Sequence, residues 1–199
     1  MHLLDPKLIV ETIGLFGTSF IVFAESGLFF GFFLPGDSLL FSAGLIASQG
    51  HMNILLLLFL AFISAVFGDN VGYFTGNRLG KRLFAKEDSW IFKKSDIEKT
   101  EAFFKKYGKK SVILARFIPI IRTFTPILAG AGKMEYRTFI TFNIIGGFLW
   151  TWGIILSGFF LGSFFPATEK YLTPIIIVVI IISFIPAVFE IVKNNLQKK

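Results

Sequence analysis

Four side chains carry charge where this sequence leaves least room for it: Glu25 and Asp37 in one apolar stretch, Arg116 and Arg122 in another. An arginine fork meets phosphate oxygens two at a time and stays charged at any relevant pH, so two of them facing a cavity would suit a phosphate. Glu25 and Asp37 flank eleven residues that, Ser26 apart, are all of glycine, proline, aromatic or aliphatic type. Acids in such surroundings are candidates to bind and release a proton during a transport cycle. The plainer alternatives are permanent acid–arginine pairing as structural glue and snorkelling of the arginines toward the cytoplasm. Polar groups within apolar segments commonly mark pathways, which favours function over glue.

The segments that hold these residues are themselves irregular. Residues 111–130, SVILARFIPIIRTFTPILAG, are apolar enough for a bilayer but contain Pro119 and Pro126 as well as the two arginines. An interior proline removes a helical hydrogen bond, and an arginine near a bilayer centre costs about 2.5–3.5 kcal/mol on insertion scales. Non-helical backbone at that depth survives only inside protein or beside a wet cavity. Arg116 and Arg122, six apart, would point in different directions on a regular helix, and the Pro119 break can bring them together. Residues 20–47 make the same exception with Glu25, Asp37 and the Pro35-Gly36 turn signal. One broken segment is acidic and the other basic, a pattern that points to a transport site.

Composition sets the class. Of 199 residues 54% are hydrophobic, 27 are phenylalanine and none is cysteine, and the mean hydropathy is +0.70, which together read as an integral membrane protein without disulfides. No cleavage signal follows MHLLDPK, so the first apolar run is expected to be retained. Residues 78–110 hold eleven Lys or Arg against five acids, most of the net +7. The positive-inside rule makes that loop cytoplasmic, and Lys193, Lys198 and Lys199 put the C-terminus beside it. Orientation and anionic headgroups account for the charge more simply than nucleic acid does.

The expected architecture is all-α and polytopic, one membrane domain over 1–199. Its first half, 8–77, has a helix over 8–24, a re-entrant hairpin at about 25–50 and a span over 54–77. The basic loop 78–110 contains an interfacial helix, 96–107, marked by a Ser95–Glu98 capping box, an apolar stripe and a Gly108 stop. The second half, 111–162, has a re-entrant hairpin at 111–132 and a span from 136, and 172–192 forms the last transmembrane helix. With loop and tail on one side, the hairpins enter from opposite sides, the signature of an inverted repeat. Met52 precedes Gly76 and Gly80 by 24 and 28 residues, and Met134 precedes Gly158 and Gly162 by the same intervals, a faint echo of duplication.

Asp69, Tyr73 and Asn143 are secondary site candidates, although satisfaction at the interface explains Asp69 and Tyr73 cheaply. Glycines 68, 72, 76 and 80 share one face and allow close helix packing. His51 reads as an interfacial structural residue, and Trp150 and Trp152 as lipid-facing or packed.

The ordered series Glu25, FLPGDSLLFSAG, GDNVGYFTGNRLG, ARFIPIIRTFTPILAGAGKM and FNIIGGFLW resembles the DedA family, whose core is the VTT or SNARE-associated domain, over about residues 15–162. Asp37 follows Pro-Gly where relatives carry Glu or Asp. The resemblance implies a lipid transporter of the bacterial cytoplasmic membrane, associated with recycling undecaprenyl phosphate or moving phospholipids and coupled to protons or sodium. It also implies functional acids at Glu25 and Asp37 and functional arginines at Arg116 and Arg122.

The leading expectation is therefore a proton-coupled flippase for an anionic lipid phosphate, undecaprenyl phosphate first, with Arg116 and Arg122 holding the headgroup. A phospholipid flippase or scramblase and a proton-coupled antiporter for small ions are the alternatives. A lipid phosphatase is disfavoured, because His2 and His51 form no catalytic constellation. No metal or cofactor is expected beyond the coupling ion, proton or sodium. The partners are membrane lipids, and monomer and homodimer both stay open as the active unit.

Overall fold

The computed structural model describes residues 6–28, 34–79 and 94–164 of the chain. Those residues form helices α1 (Pro6–Gly27), α2 (Gly36–Ser48), α3 (Ile54–Leu79), α4 (Lys94–Tyr107), α5 (Ser111–Leu114), α6 (Pro119–Ala131) and α7 (Tyr136–Phe164), with short 3-10 turns at Gly108–Lys110 and Ala115–Phe117. The described fold is all-helical, and among the described residues α3 and α7 are long and apolar enough to cross a membrane. The expected helix at 172–192, residues 80–93 of the basic loop and the charged C-terminus lie outside the described residues, as do the side chains of the Ser95–Glu98 cap.

The helices turn their polar groups inward. Phe59, Phe67 and Phe74 on α3, Phe148 and Phe160 on α7 and Phe16 and Phe20 on α1 are exposed, whereas Glu25, Asp69, Arg116, Arg122, Asn143 and Thr151 are buried. Apolar surface outside and charge inside is the arrangement a lipid solvent imposes.

The two broken segments share a layout. Each has a 13-residue helix, α2 or α6, a reversal through one left-handed residue, Gly50 (φ 76°) or Lys133 (φ 54°), and then a long helix, α3 of 26 or α7 of 29 residues. The packing is crossed, α2 lying against α7 and α6 against α3. Glycine makes both contacts possible. A Cβ added to Gly44 would sit 2.1 Å from the Ile155 carbonyl oxygen, one on Gly158 2.1 Å from that of Phe41, one on Gly76 2.0 Å from that of Ile127, and one on Gly130 2.0 Å from that of Tyr73. Gly68, Gly72 and Gly76 do line one packed face of α3, against α1 and then α6.

The prolines behave differently from each other. Ile118 is extended (φ −124°, ψ 105°), as a residue before proline prefers, and Pro119 opens α6 at its first position. Pro126 lies inside α6 without ending it, its ring lying where it would meet a Cβ on Gly72 of α3. The segment thus breaks once, at 118–119, where the sequence offers two sites. α4 packs on α6 and stops at Gly108 in the left-handed region (φ 57°), as expected of a C-terminal glycine.

If the crossed glycine contacts hold the bundle together, Gly76→Val meets backbone and Gly153→Ala, which has open space around its Cβ, meets nothing. Overpacking costs about 1–3 kcal/mol, worth about 2–4 °C per kcal/mol in a chain of this size. Thermal melts in detergent should show Gly76→Val lowered and Gly153→Ala unchanged; equal melting would refute this packing.

Candidate functional site

The charged residues that the sequence singles out meet in one buried cluster, sorted into two sets. Glu25 lies in the last helical turn of α1, not in the turn of the hairpin, and Asp37 in the first turn of α2. Both pair with Arg122 of α6: its Nη2 with Glu25 Oε1, and its Nη1 with Asp37 Oδ1 at 3.0 Å. Arg116, in the 3-10 turn before the break, pairs instead with Asp69 of α3, donates to Asn143 Oδ1 of α7 and lies 3.5 Å from the Ala65 carbonyl. The break at Ile118 folds the second arginine back, so that Arg122 Nη1 comes within 3.4 Å of the Arg116 carbonyl.

Burial is uneven across the cluster. Arg116, Arg122, Glu25 and Asp69 are all at most 3% exposed, whereas the Asp37 side chain is 48% exposed. Asp37 is thus the side from which the cluster can be reached. Several buried polar atoms are unspent: Glu25 Oε2, Asp69 Oδ1, Nε of both arginines and Arg116 Nη1 make no hydrogen bond within the described residues. Arginines with donors to spare and one replaceable carboxylate can hold an anion.

Small residues make room for this chemistry. A Cβ on Gly36 would fall 1.4 Å from Glu25 Oε2, so α2 can approach the acid only because it starts with glycine. Gly146 of α7 does so more mildly for Arg116, an added Cβ falling 3.2 Å from its Cδ.

The secondary candidates divide. Asp69 is not satisfied by solvent: it is 2% exposed and is the charge partner of Arg116. Asn143 joins the same set, its Nδ2 donating to the Val66 carbonyl at 3.2 Å. Tyr73, the remaining secondary candidate, stays outside: its hydroxyl donates to the Met134 carbonyl and its ring stacks on Phe139. Trp150, read as lipid-facing or packed, is 1% exposed, donates its indole N–H to Asp37 Oδ1 at 2.8 Å and lies under both guanidiniums, Arg122 at 4.5 Å and Arg116 at 5.7 Å from its ring centre. The signal in sequence was its place one turn beyond the Asn143–Gly147 stretch. His51 is exposed at the reversal between α2 and α3.

The VTT-domain family model matches residues 34–160. Protein DedA of Escherichia coli K12 is 43% identical over 177 residues, which cover 88% of this chain and 80% of that protein. An uncharacterized membrane protein of Mycobacterium tuberculosis is 43% identical over 193 residues, 93% of this chain and 84% of the relative. A Staphylococcus aureus protein named undecaprenyl phosphate transporter A is 32% identical over 130 residues, 63% of this chain and 64% of its own length. No solved structure matches the chain.

Removing one partner of a buried ion pair costs about 3–5 kcal/mol, because the other charge is stranded. Arg116→Met should therefore be strongly destabilising, and Asp69→Asn placed on top of it should recover part of the loss. A double-mutant cycle by thermal melting measures this; additive losses would show that Asp69 does not depend on Arg116.

Proposed function

This chain belongs to the VTT-domain family of DedA-type membrane proteins, and from that premise we propose that it is a flippase for an anionic lipid phosphate, undecaprenyl phosphate first, in the bacterial cytoplasmic membrane. The observation that carries the reading is the geometry at Arg122: a buried guanidinium held by one buried acid, Glu25, and one half-exposed acid, Asp37. A headgroup phosphate arriving from the Asp37 side takes that carboxylate's place on the fork, and the spare donors of Arg116 lie behind it. The acyl or prenyl chain stays in the bilayer against the exposed phenylalanines while the headgroup passes.

Charge arithmetic supports proton coupling. Three carboxylates, Glu25, Asp37 and Asp69, face two guanidiniums, which leaves a formal charge of minus one where uncompensated charge is expensive. An arriving phosphate deepens that deficit, so the bound state calls for a cation, and a proton on one of the acids supplies it. The repeated block of short helix, reversal and long helix, with its crossed packing, supports two halves of opposite orientation and access from either face in turn. The printed name of the staphylococcal relative agrees with the substrate class.

The test is headgroup accessibility of undecaprenyl phosphate in proteoliposomes, with and without a proton gradient. The native protein should move it; Glu25→Gln, which keeps volume, and Arg122→Lys, which keeps charge but loses the fork, should slow it by about ten-fold or more, the worth of one hydrogen bond to a charged group. Lipid left in place by a folded native protein would refute the reading, ion flux without lipid would replace it with the antiporter, and movement of phospholipid alone would change the substrate.

Orientation has its own check, because the chain holds no cysteine. Lys105→Cys should be labelled by an impermeant thiol reagent only from the cytoplasmic side, and Thr168→Cys only from outside; the opposite pattern would invert the topology.

A further inference from the structure

Trp150 is the residue that the sequence reading gave no chemical part, and it lies where the two ion-pair sets meet. Its indole N–H and Arg122 Nη1 share one acceptor, Asp37 Oδ1, at 2.8 and 3.0 Å. Its ring lies against Arg122 on one set and Arg116 on the other. It is the largest fully buried side chain described, so its position is fixed by the surrounding helices rather than by solvent.

A core tryptophan needs an acceptor for its N–H, and any carbonyl would serve that purpose. Here the acceptor is instead the half-exposed carboxylate of the cluster. The consequence appears when that carboxylate leaves Arg122. Without the indole, Asp37 would keep neither of the two donors that hold its Oδ1 among the described residues. With it, a hydrogen bond to a charged acceptor remains, and that bond strengthens once it is no longer shared. Because the indole is neutral, it holds Asp37 without adding a positive charge that would compete for the incoming anion.

Resting on the lipid-phosphate reading, we propose that Trp150 is the positioning residue for exchange at Arg122: its N–H retains Asp37 while a lipid phosphate occupies the guanidinium, and its ring keeps the two arginines together during the exchange.

Two measurements decide it. Trp150→Phe keeps a ring for the arginines and removes the donor. In the free state Asp37 still has Arg122, but in the phosphate-bound state it has neither, so the penalty falls on the bound state. The half-saturating undecaprenyl phosphate concentration should rise by about ten-fold with the maximal rate within about two-fold, whereas a merely structural tryptophan would change the amount of folded protein and not this ratio. The second measurement leaves Trp150 in place. In a Trp90→Phe, Trp152→Phe background, its emission should change saturably with undecaprenyl phosphate, at the concentrations that saturate transport, and not with undecaprenol. An unchanged half-saturation in Trp150→Phe overturns the proposal, and so does an emission that ignores the phosphate while the same protein transports it. If the native protein moves no lipid phosphate at all, it is the flippase reading that fails, and the two failures are told apart by that control.

Discussion

Everything described here is arranged around one guanidinium, that of Arg122, kept charged where water is scarce. Burying it costs several kcal/mol unless oxygen atoms surround it, and the fold delivers them from separate elements: Glu25 from the end of α1, Asp37 from the start of α2 and the Arg116 carbonyl from the turn before α6. Trp150 of α7 adds its ring. None of these elements could move far without stranding a charge. The ion pair is poor evidence of net stability but strong evidence of specification, since it fixes the relative placement of four helices at once.

That placement needs short distances between backbones. Side chains of ordinary size at positions 44, 76, 130 and 158 would each collide with a main-chain oxygen of a neighbouring helix. In lipid, where apolar surface gains nothing by leaving the solvent, such close approach is itself the source of association through packing. The glycines and the charges are two parts of one solution: the first brings α2 to α7 and α6 to α3, and the second sits in the centre that the crossing creates.

The four central residues were legible because charge in an apolar run is a costly exception, and such exceptions can be read one residue at a time. What could not be read was pairing, which depends on three-dimensional register. Both acids of the first segment go to Arg122, and Arg116 takes Asp69, which lay near the polar end of its helix and so had a cheap interfacial explanation. Trp150 was hard to read for a different reason: an indole in a membrane protein has an ordinary place at the interface, and its position one turn beyond Asn143–Gly147 gains meaning only from its distance to Asp37. Pro119 and Pro126 look alike in sequence. Pro119 could start a helix after an extended residue, and Pro126 could be absorbed against glycine on α3, so only one became a break.

The asymmetry between the acids gives the cluster its direction. A fully buried pair such as Glu25 with Arg122 is hard to separate, because either charge alone would be uncompensated. A pair with one partner half-exposed costs less to open, since a competing anion can reach it from that side. The same arginine therefore has one fixed bond and one exchangeable bond. A fixed acid alone would make the cluster inert, and an exposed one alone would leave the arginine unsupported when its ligand departed. Holding both would let Arg122 release and regain Asp37 while Glu25 stays beside it, which is what the proposed exchange with a lipid phosphate requires.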